Sequence, residues 1–214
     1  AKIGFHLSWL RKVLNMASST AVVILCGGVS RRLGVSKALL QVKGKPLFKV
    51  VEENLSPLGL PVYFVSKVPF ESGEIPLILD IFEADTPLAG VLTALTTLQY
   101  QNYLFTAVDM PLIPKETLLP LLEHHCAHET SVFYSINGFL QPFPSLLQSS
   151  VVNHILTCYQ QQLYKLTEVF SSIPHVLLPY TGDLNVFLNV NTWKDWESFQ
   201  SSAPYYFPMH DHFA

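Results

Sequence analysis

The sequence predicts an α/β domain of three layers, with helices on both faces of a mostly parallel sheet. From Thr20 onward, short runs rich in β-branched and aromatic residues alternate with segments of helical period, which is typical of parallel strands joined by helices. The runs 21–26 and 103–108 are almost continuously apolar, as expected of strands covered on both faces. The 214 residues are 49% hydrophobic and 14% charged, against ~25% charged in an average chain, so one large core is expected.

The individual elements follow from the local pattern along the chain. The predicted strands are 21–26, 62–66, 77–80, 103–108, 130–134, 175–178 and 187–190. The predicted helices are 47–55, 88–98, 115–125, 151–162 and 193–201. Asp85 stands just before the second helix and is expected to cap it. We expect residues 1–19 to form an N-terminal extension, 20–201 a single domain and 202–214 a C-terminal tail.

Charge and cysteine content exclude several classes of protein. The net charge of −3 and the pI near 6.2 provide no broad basic surface, so nucleic acid is not an expected partner. The cysteines are too few and too widely spaced for a disulfide framework or a zinc motif, which favours the reducing cytoplasm. The uncharged stretches 86–108 and 130–164 are interrupted by prolines and amides, so no membrane association is predicted.

A glycine-rich, basic loop follows the first predicted strand. Gly27 and Gly28 allow backbone N–H groups to come close to an anion, and Arg32 and Lys37 supply full positive charges. The loop lacks the ending of a Walker motif and the spacing of the dinucleotide-binding fingerprint. A glycine turn alone would have a purely structural explanation, but glycines and cations together directly after a strand indicate a polyphosphate site.

Two carboxylates follow other predicted strands. Asp80 and Asp109 each come at the end of an apolar run, and the carboxyl ends of parallel strands share one edge of the sheet, where ligands bind. Mg²⁺ prefers oxygen ligands and is usually held by one or two carboxylates together with substrate phosphates. The alternative is that each aspartate only caps a turn, and the sequence leaves this open.

At these residues the chain resembles the molybdenum cofactor guanylyltransferases, within the wider MobA-like nucleotidyltransferases. The resemblance extends over about residues 21–199. It is carried by Leu25-Cys26-Gly27-Gly28 with Arg32, Gly34 and Lys37, by Pro87-Leu88-Ala89-Gly90, by Asp109-Met110-Pro111, and by Asn189-Val190-Asn191-Thr192. It implies a Rossmann-like, mostly parallel sheet of the nucleotide-diphospho-sugar transferase type.

The resemblance also implies a reaction and a set of site residues. The reaction is the Mg²⁺-dependent transfer of GMP from GTP to the molybdopterin cofactor, which forms molybdopterin guanine dinucleotide and releases pyrophosphate. The implied partners are GTP, the molybdopterin cofactor and other molybdenum cofactor biosynthesis or acceptor proteins. Arg32, Lys37 and Asp109 would be catalytic, with Asp109 also the metal ligand. The residues implied to bind the nucleotide or the pterin are Leu25, Cys26, Gly27, Gly28, Lys37, Ser66, Asp80, Asp109, Asn189 and Asn191.

Two departures from the family pattern keep alternative functions open. Ser36 stands where relatives commonly have Asp, and 139–144 is apolar where relatives often have a more polar stretch facing the acceptor. One alternative is a cytidylyltransferase of the same fold, acting on molybdopterin or on a small phosphorylated alcohol. The other is a nucleotide-binding accessory protein with weak catalysis.

Overall fold

The computed structural model describes residues 18–28, 30 and 33–206, with side chains as far as Ser201. Arg32, residues 1–17 of the predicted extension and residues 207–214 of the predicted tail lie outside the described residues. The strands are β1 (Thr20–Gly27), β2 (Gln41–Val42), β3 (Lys45–Pro46), β4 (Val62–Ser66), β5 (Leu77–Leu79), β6 (Asn102–Ala107), β7 (Ser131–Ile136), β8 (Phe139–Gln148) and β9 (His175–Pro179). The α-helices are α1 (Leu47–Leu55), α2 (Pro87–Thr97), α3 (Lys115–His128), α4 (Val152–Gln160), α5 (Leu166–Ser171) and α6 (Trp193–Tyr206).

A seven-stranded sheet of order β5-β4-β1-β6-β8-β7-β9 forms the centre of the protein. Every neighbouring pair is parallel except the two that involve β8, so the predicted α/β, mostly parallel architecture is confirmed. Strand β1 lies inside the sheet between β4 and β6, and its residues from Thr20 to Cys26 are buried. Along the described part of the chain, no helix combines the length and the apolar character needed to cross a membrane.

The strand order changes direction at β1. After β1 the chain adds β4 and β5 on one side, and it then returns to place β6 on the other side. The carboxyl ends of β1, β4 and β6 therefore meet at Gly27, Ser66 and Ala107, which is the edge where open α/β sheets bind ligands. Helix α2 packs close to this edge, because Gly90 has no side chain to separate the helix from Leu25.

Strand β8 is a ten-residue strand that the sequence pattern did not predict. Pro142 and Pro144 argue against a central strand, because proline cannot donate to the ladder. The register resolves this conflict: Phe133 pairs with Ser145 and the next residue, Tyr134, pairs with Gln141. Residues 142–144 thus form a bulge, so neither proline has to supply a ladder hydrogen bond.

Three further predictions about elements were wrong in detail. Residues 187–190 are not a strand: a 3-10 helix ends at Phe187, and the Val190 N–H donates a single hydrogen bond to the Asp109 carbonyl. Asp85 does not cap α2, since the cap is Thr86, whose Oγ1 accepts a hydrogen bond from the Leu88 N–H. Helix α6 continues to Tyr206, beyond the predicted end at residue 201.

The contact between α2 and β1 gives a test of how the fold holds the edge of the sheet in place. A Cβ at position 90 would lie 3.1 Å from Leu25 Cδ2 and 3.6 Å from Val65 Cγ1. We expect Gly90→Val to lower the free energy of unfolding by about 1–3 kcal/mol because the core is overpacked. The free energy of unfolding is measured by urea denaturation. The control is Thr97→Val at an exposed position of the same helix, which should change this free energy by less than about 0.5 kcal/mol. Equal effects of the two variants would contradict this packing argument.

Candidate active site

A cavity of about 530 Å³ opens at the carboxyl ends of β1, β4 and β6. The structure brings together every described residue that the sequence assigned to the site. The predicted residues that line the cavity are Leu25, Cys26, Gly27, Gly28, Lys37, Ser66, Asp80, Asp109, Asn189 and Asn191. Segments far apart in the sequence thus converge on one concave site, whereas Arg32 lies outside the described residues.

The Lys37 ammonium group is the central contact of the cavity. It donates hydrogen bonds to Asp109 Oδ2 at 2.7 Å and to Asn191 Oδ1 at 2.6 Å. The side chains of Lys37 and Asp109 are only 17% and 22% exposed, so their ion pair is partly removed from water. An ammonium group has three N–H donors, and these two bonds leave one for a ligand.

The loop before α6 is fixed to the end of β6 by main-chain contacts. The Val190 N–H donates to the Asp109 carbonyl at 2.8 Å. Asp195 Oδ2 accepts from the N–H groups of Asn191 (3.0 Å) and Thr192 (2.8 Å). Hydrogen bonds from the Thr192 side chain and from the Asn191 main chain hold the pKa of the Asp195 carboxyl below its usual value. The ionised carboxylate of Asp195 therefore helps to keep the amide of Asn191 beside Lys37.

The glycine loop begins in a conformation that suits Gly27. Its φ of 64° lies in the left-handed region, and an added Cβ would meet no protein atom within 4 Å, so the main chain here faces open space. The Gly27 carbonyl accepts a hydrogen bond from the Lys67 N–H at 3.0 Å. Ser66 Oγ lies 2.9 Å from the same carbonyl and 2.8 Å from that of Val68. Ser66 thus fixes the loop, and its contact with a base or ribose stays a prediction.

Asp80 lines the cavity and is anchored to α2. Its Oδ1 accepts a hydrogen bond from Thr93 Oγ1 at 2.5 Å and another from the Phe82 N–H at 3.2 Å. Thr93 Oγ1 in turn accepts a hydrogen bond from the Ile81 N–H at 3.1 Å. One oxygen of the Asp80 carboxylate is therefore committed to the fold.

The other side of the cavity carries no charged side chain among the described residues. It is lined by Gln141, Pro142, Phe143, Leu166 and Phe187. The first three belong to β8, so the unpredicted bulge is what places the 139–144 stretch in the site. Asn189 stands between the two sides, and its amide is exposed.

The positions of two residues near the glycine loop, Lys67 and Ser36, were not inferred from the sequence. Lys67 lines the cavity and was missed, although a lysine directly after a strand that ends at the ligand-binding edge was a usable signal. Ser36, where relatives commonly have Asp, is buried and does not line the cavity.

The charges of the cavity favour an anion that is accompanied by a cation. Its described lining includes two lysines and three aspartates, namely Lys37, Lys67, Asp80, Asp85 and Asp109. Among these described residues, the negative side chains outnumber the positive ones by one. Between residues 18 and 206, as far as they are described, no three His, Cys, Asp or Glu side chains cluster as a metal cage. The available donors are single carboxylates and amide oxygens, which is how Mg²⁺ is held when substrate phosphates complete its coordination.

Cys26 is the nucleophilic side chain nearest to the glycine loop. Burial raises the pKa of its thiol far above the usual value, and the residue is 3% exposed. A protonated thiol is a poor nucleophile at neutral pH. A covalent intermediate at Cys26 is therefore not expected.

Taken together, the sheet, the glycine loop and the lysine–aspartate pair define a nucleotidyltransferase site. The chain matches the family described as MobA-like NTP transferase domain over residues 22–176. The match covers more than half of the chain, and the protein belongs to this family.

Individual relatives cover nearly the whole chain. A probable molybdenum cofactor guanylyltransferase of Bacillus licheniformis is 30% identical over 197 residues, which is 85% of this chain and 97% of that relative. A second, from Carboxydothermus hydrogenoformans, is 29% identical over 188 residues, 82% of this chain and 92% of that relative.

Solved structures confirm the predicted fold type. Molybdopterin-guanine dinucleotide biosynthesis protein A from Archaeoglobus fulgidus superimposes with a TM-score of 0.75 at 23% identity, covering 86% of this chain and 99% of its own. A CMP:2-keto-3-deoxy-manno-octonic acid synthetase complexed with CTP superimposes with a TM-score of 0.66 at 14% identity. The match covers 87% of this chain and 99% of that protein. At these identities the likeness establishes the fold alone.

The burial of Cys26 predicts the order of thiol reactivity. Cys26 and Cys158 are buried and Cys126 is half-buried. We expect iodoacetamide at pH 8 to label Cys126 faster than the other two in the folded protein, by at least about tenfold, because the thiolate is the reactive form. Mass spectrometry of labelled peptides measures this, with urea-unfolded protein as the control in which all three react alike. Rapid labelling of Cys26 in the folded protein would show that its thiol is accessible after all.

Proposed function

We propose that this chain is a molybdenum cofactor guanylyltransferase, which transfers GMP from GTP to the phosphate of the molybdopterin cofactor and releases pyrophosphate. The observation that carries the proposal is the Lys37 ammonium group, held between Asp109 and Asn191 beside the glycine loop. The names of the relatives from Bacillus licheniformis and Carboxydothermus hydrogenoformans support the choice of nucleotide and acceptor.

The nucleotide side of the cavity would receive the triphosphate. At Gly27 and Gly28 no side chain keeps a phosphate away from the main chain, and the third donor of Lys37 is available to a phosphate oxygen. Thr86 and Pro87, at the N-terminus of α2, also line this side and contribute the positive end of the helix dipole. These groups stabilise negative charge on the phosphates before and during the transfer.

The reaction needs no protein nucleophile. An oxygen of the acceptor phosphate attacks the α-phosphorus of GTP, one P–O bond forms, and the bond between the α-phosphorus and the bridging oxygen breaks to release pyrophosphate. The attacking phosphate oxygen is already ionised, so no general base is required. Lys37 balances part of the charge on the attacking and leaving groups, while Asn191 and Asp109 keep its ammonium group in place.

Mg²⁺ fits the donors that the cavity offers. Asp109 would hold it, because this carboxylate lines the cavity and its ion pair with Lys37 uses only Oδ2. When bound, Mg²⁺ supplies charge neutralisation and Lewis-acid polarisation to the phosphates. The two substrates give a separate reason for a divalent ion, since two anions at close range repel each other strongly when water is excluded.

The acceptor side favours a planar ring over a small charged alcohol. Phe143, Leu166 and Phe187 give it an apolar surface, and Gln141 and Asn189 add amide groups that can hydrogen-bond to a heterocycle. A small phosphorylated alcohol would bury little apolar surface there. This side of the cavity therefore supports a pterin acceptor more than the alternative acceptor.

A nucleotide panel tests the choice of base. In the presence of Mg²⁺ we expect GTP to raise the melting temperature more than CTP, ATP or UTP, because a ligand that binds only the folded state stabilises it in proportion to its affinity. The measurement is a thermal shift at equal nucleotide concentrations, followed by pyrophosphate release after addition of the molybdopterin cofactor. Preference for CTP would favour a cytidylyltransferase, binding without pyrophosphate release an accessory protein, and no stabilisation by any nucleotide would remove the proposal.

Substitutions at the ion pair test the assigned roles. We expect Asp109→Ala to abolish measurable turnover and Lys37→Ala to lower kcat by at least ~10²-fold, since each removes charge stabilisation made in the transition state. The matched control is the exposed pair of Lys45 and Glu53, which is 2.8 Å long and does not line the cavity. Lys45→Ala and Glu53→Ala should retain turnover within about threefold, because surface pairs contribute little. Guanylyl transfer at the normal rate by Asp109→Ala would refute the assignment.

A further inference from the structure

Lys67 crosses between two walls of the cavity, and neither the family motif nor the reaction described above assigns it a role. Its main-chain N–H donates to the Gly27 carbonyl at 3.0 Å. Its Cβ lies 3.5 Å from the position that a Cβ on Gly28 would occupy, so the side-chain stem packs over the glycine loop. One end of Lys67 is therefore fixed to the nucleotide side of the cavity.

The ammonium end of Lys67 reaches the segment that leads into α2. It donates to the carbonyl of Ala84 at 2.7 Å and to that of Glu83 at 3.2 Å, and it lies 3.7 Å from Asp85 Oδ1. Lys67 is 25% exposed along its side chain, whereas Asp85 is 67% exposed. The two carbonyl contacts are shorter than the ion pair, so they define the position of the segment 83–85.

The segment that Lys67 holds forms a wall of the cavity. Asp85, Thr86 and Pro87 line it opposite Gly27 and Gly28. Two further contacts keep the segment in place: the Ala84 N–H donates to Tyr159 Oη at 2.9 Å, and the Thr86 N–H donates to the Ala84 carbonyl at 2.9 Å. Neither of these contacts reaches the glycine loop, whereas Lys67 contacts both the loop and the segment 83–85.

We infer that Lys67 is a positioning residue for the nucleotide: it sets the separation between the glycine loop and the start of α2, and it acts through that separation. This inference rests on the proposed function, since it requires a nucleotide between the two walls. Because its ammonium group donates to the carbonyls of Glu83 and Ala84 and lies 3.7 Å from Asp85, Lys67 should affect nucleotide binding and leave the transfer step nearly unchanged. Lys37, with a free donor beside Asp109, should affect the transfer step.

The test uses the full chain and separates KM from kcat. Lys67→Met keeps an unbranched stem over Gly28 and removes the ammonium group, whereas Lys67→Arg keeps donors for both carbonyls. We expect Lys67→Met to raise the KM for GTP, and the Kd for GTP with Mg²⁺ measured by calorimetry, by about tenfold or more, with kcat within about threefold, since charged hydrogen bonds of this kind typically change affinity by that amount. Lys67→Arg should return both constants to within about threefold of the unsubstituted protein.

Two controls distinguish positioning from simple charge or stability effects. Glu53→Gln removes an exposed ion pair outside the cavity, so it should leave KM within about threefold. Lys45→Met removes an exposed lysine elsewhere and should change neither constant. The melting temperature of each variant without nucleotide shows whether the fold is retained.

Each outcome decides the inference. An unchanged KM and Kd in Lys67→Met would overturn it, and so would a loss confined to kcat, which would place Lys67 at the reacting phosphates. If the unsubstituted protein binds no nucleotide, the proposed function fails first and this inference fails with it. If the unsubstituted protein binds and turns over GTP while Lys67→Met behaves identically, only the inference fails.

Discussion

The ion pair between Lys37 and Asp109 is the interaction on which the rest of the site depends. It joins positions 72 residues apart, and the second bond of the same ammonium group adds Asn191, 154 residues from Lys37. Loops that follow different strands are thus held by one partly buried charge. Charges interact more strongly where water is excluded. The Lys37 ammonium group, which holds these loops together, is therefore also suited to bind an anion.

A second constraint is the small number of charges in a chain that is only 14% charged. Several of them are concentrated in the cavity, where three aspartates face two lysines. The two lysines have different partners: Lys37 donates to the side chains of Asp109 and Asn191, whereas Lys67 donates to the main-chain carbonyls of Glu83 and Ala84. We therefore assign Lys37 to the transfer step and Lys67 to positioning of the nucleotide.

Sequence patterns were most accurate where local and tertiary preferences agree. The central strands β1 and β6 were placed to within about two residues, because buried parallel strands must be continuously apolar. The pattern failed at Phe139–Gln148, where two prolines masked a strand whose bulge absorbs them. It also failed at 187–190, an apolar run that is held by one main-chain bond to Asp109 and never joins the sheet. Both failures concern pairing with distant partners, which no local window contains.

The sequence by itself determined the α/β class, the glycine loop and the candidate residues Lys37 and Asp109, because each lies in a short motif that follows a predictable strand. Asn191 was a candidate through the family motif alone, since the strand predicted before it does not form. Only the tertiary structure decided that these residues touch, that the stretch 139–144 forms the uncharged wall, and that Lys67 spans the cavity. The physical reason is that strand order and loop closure set the distances between motifs. Those distances depend on the packing of the whole sheet, and no short segment of the sequence contains that information.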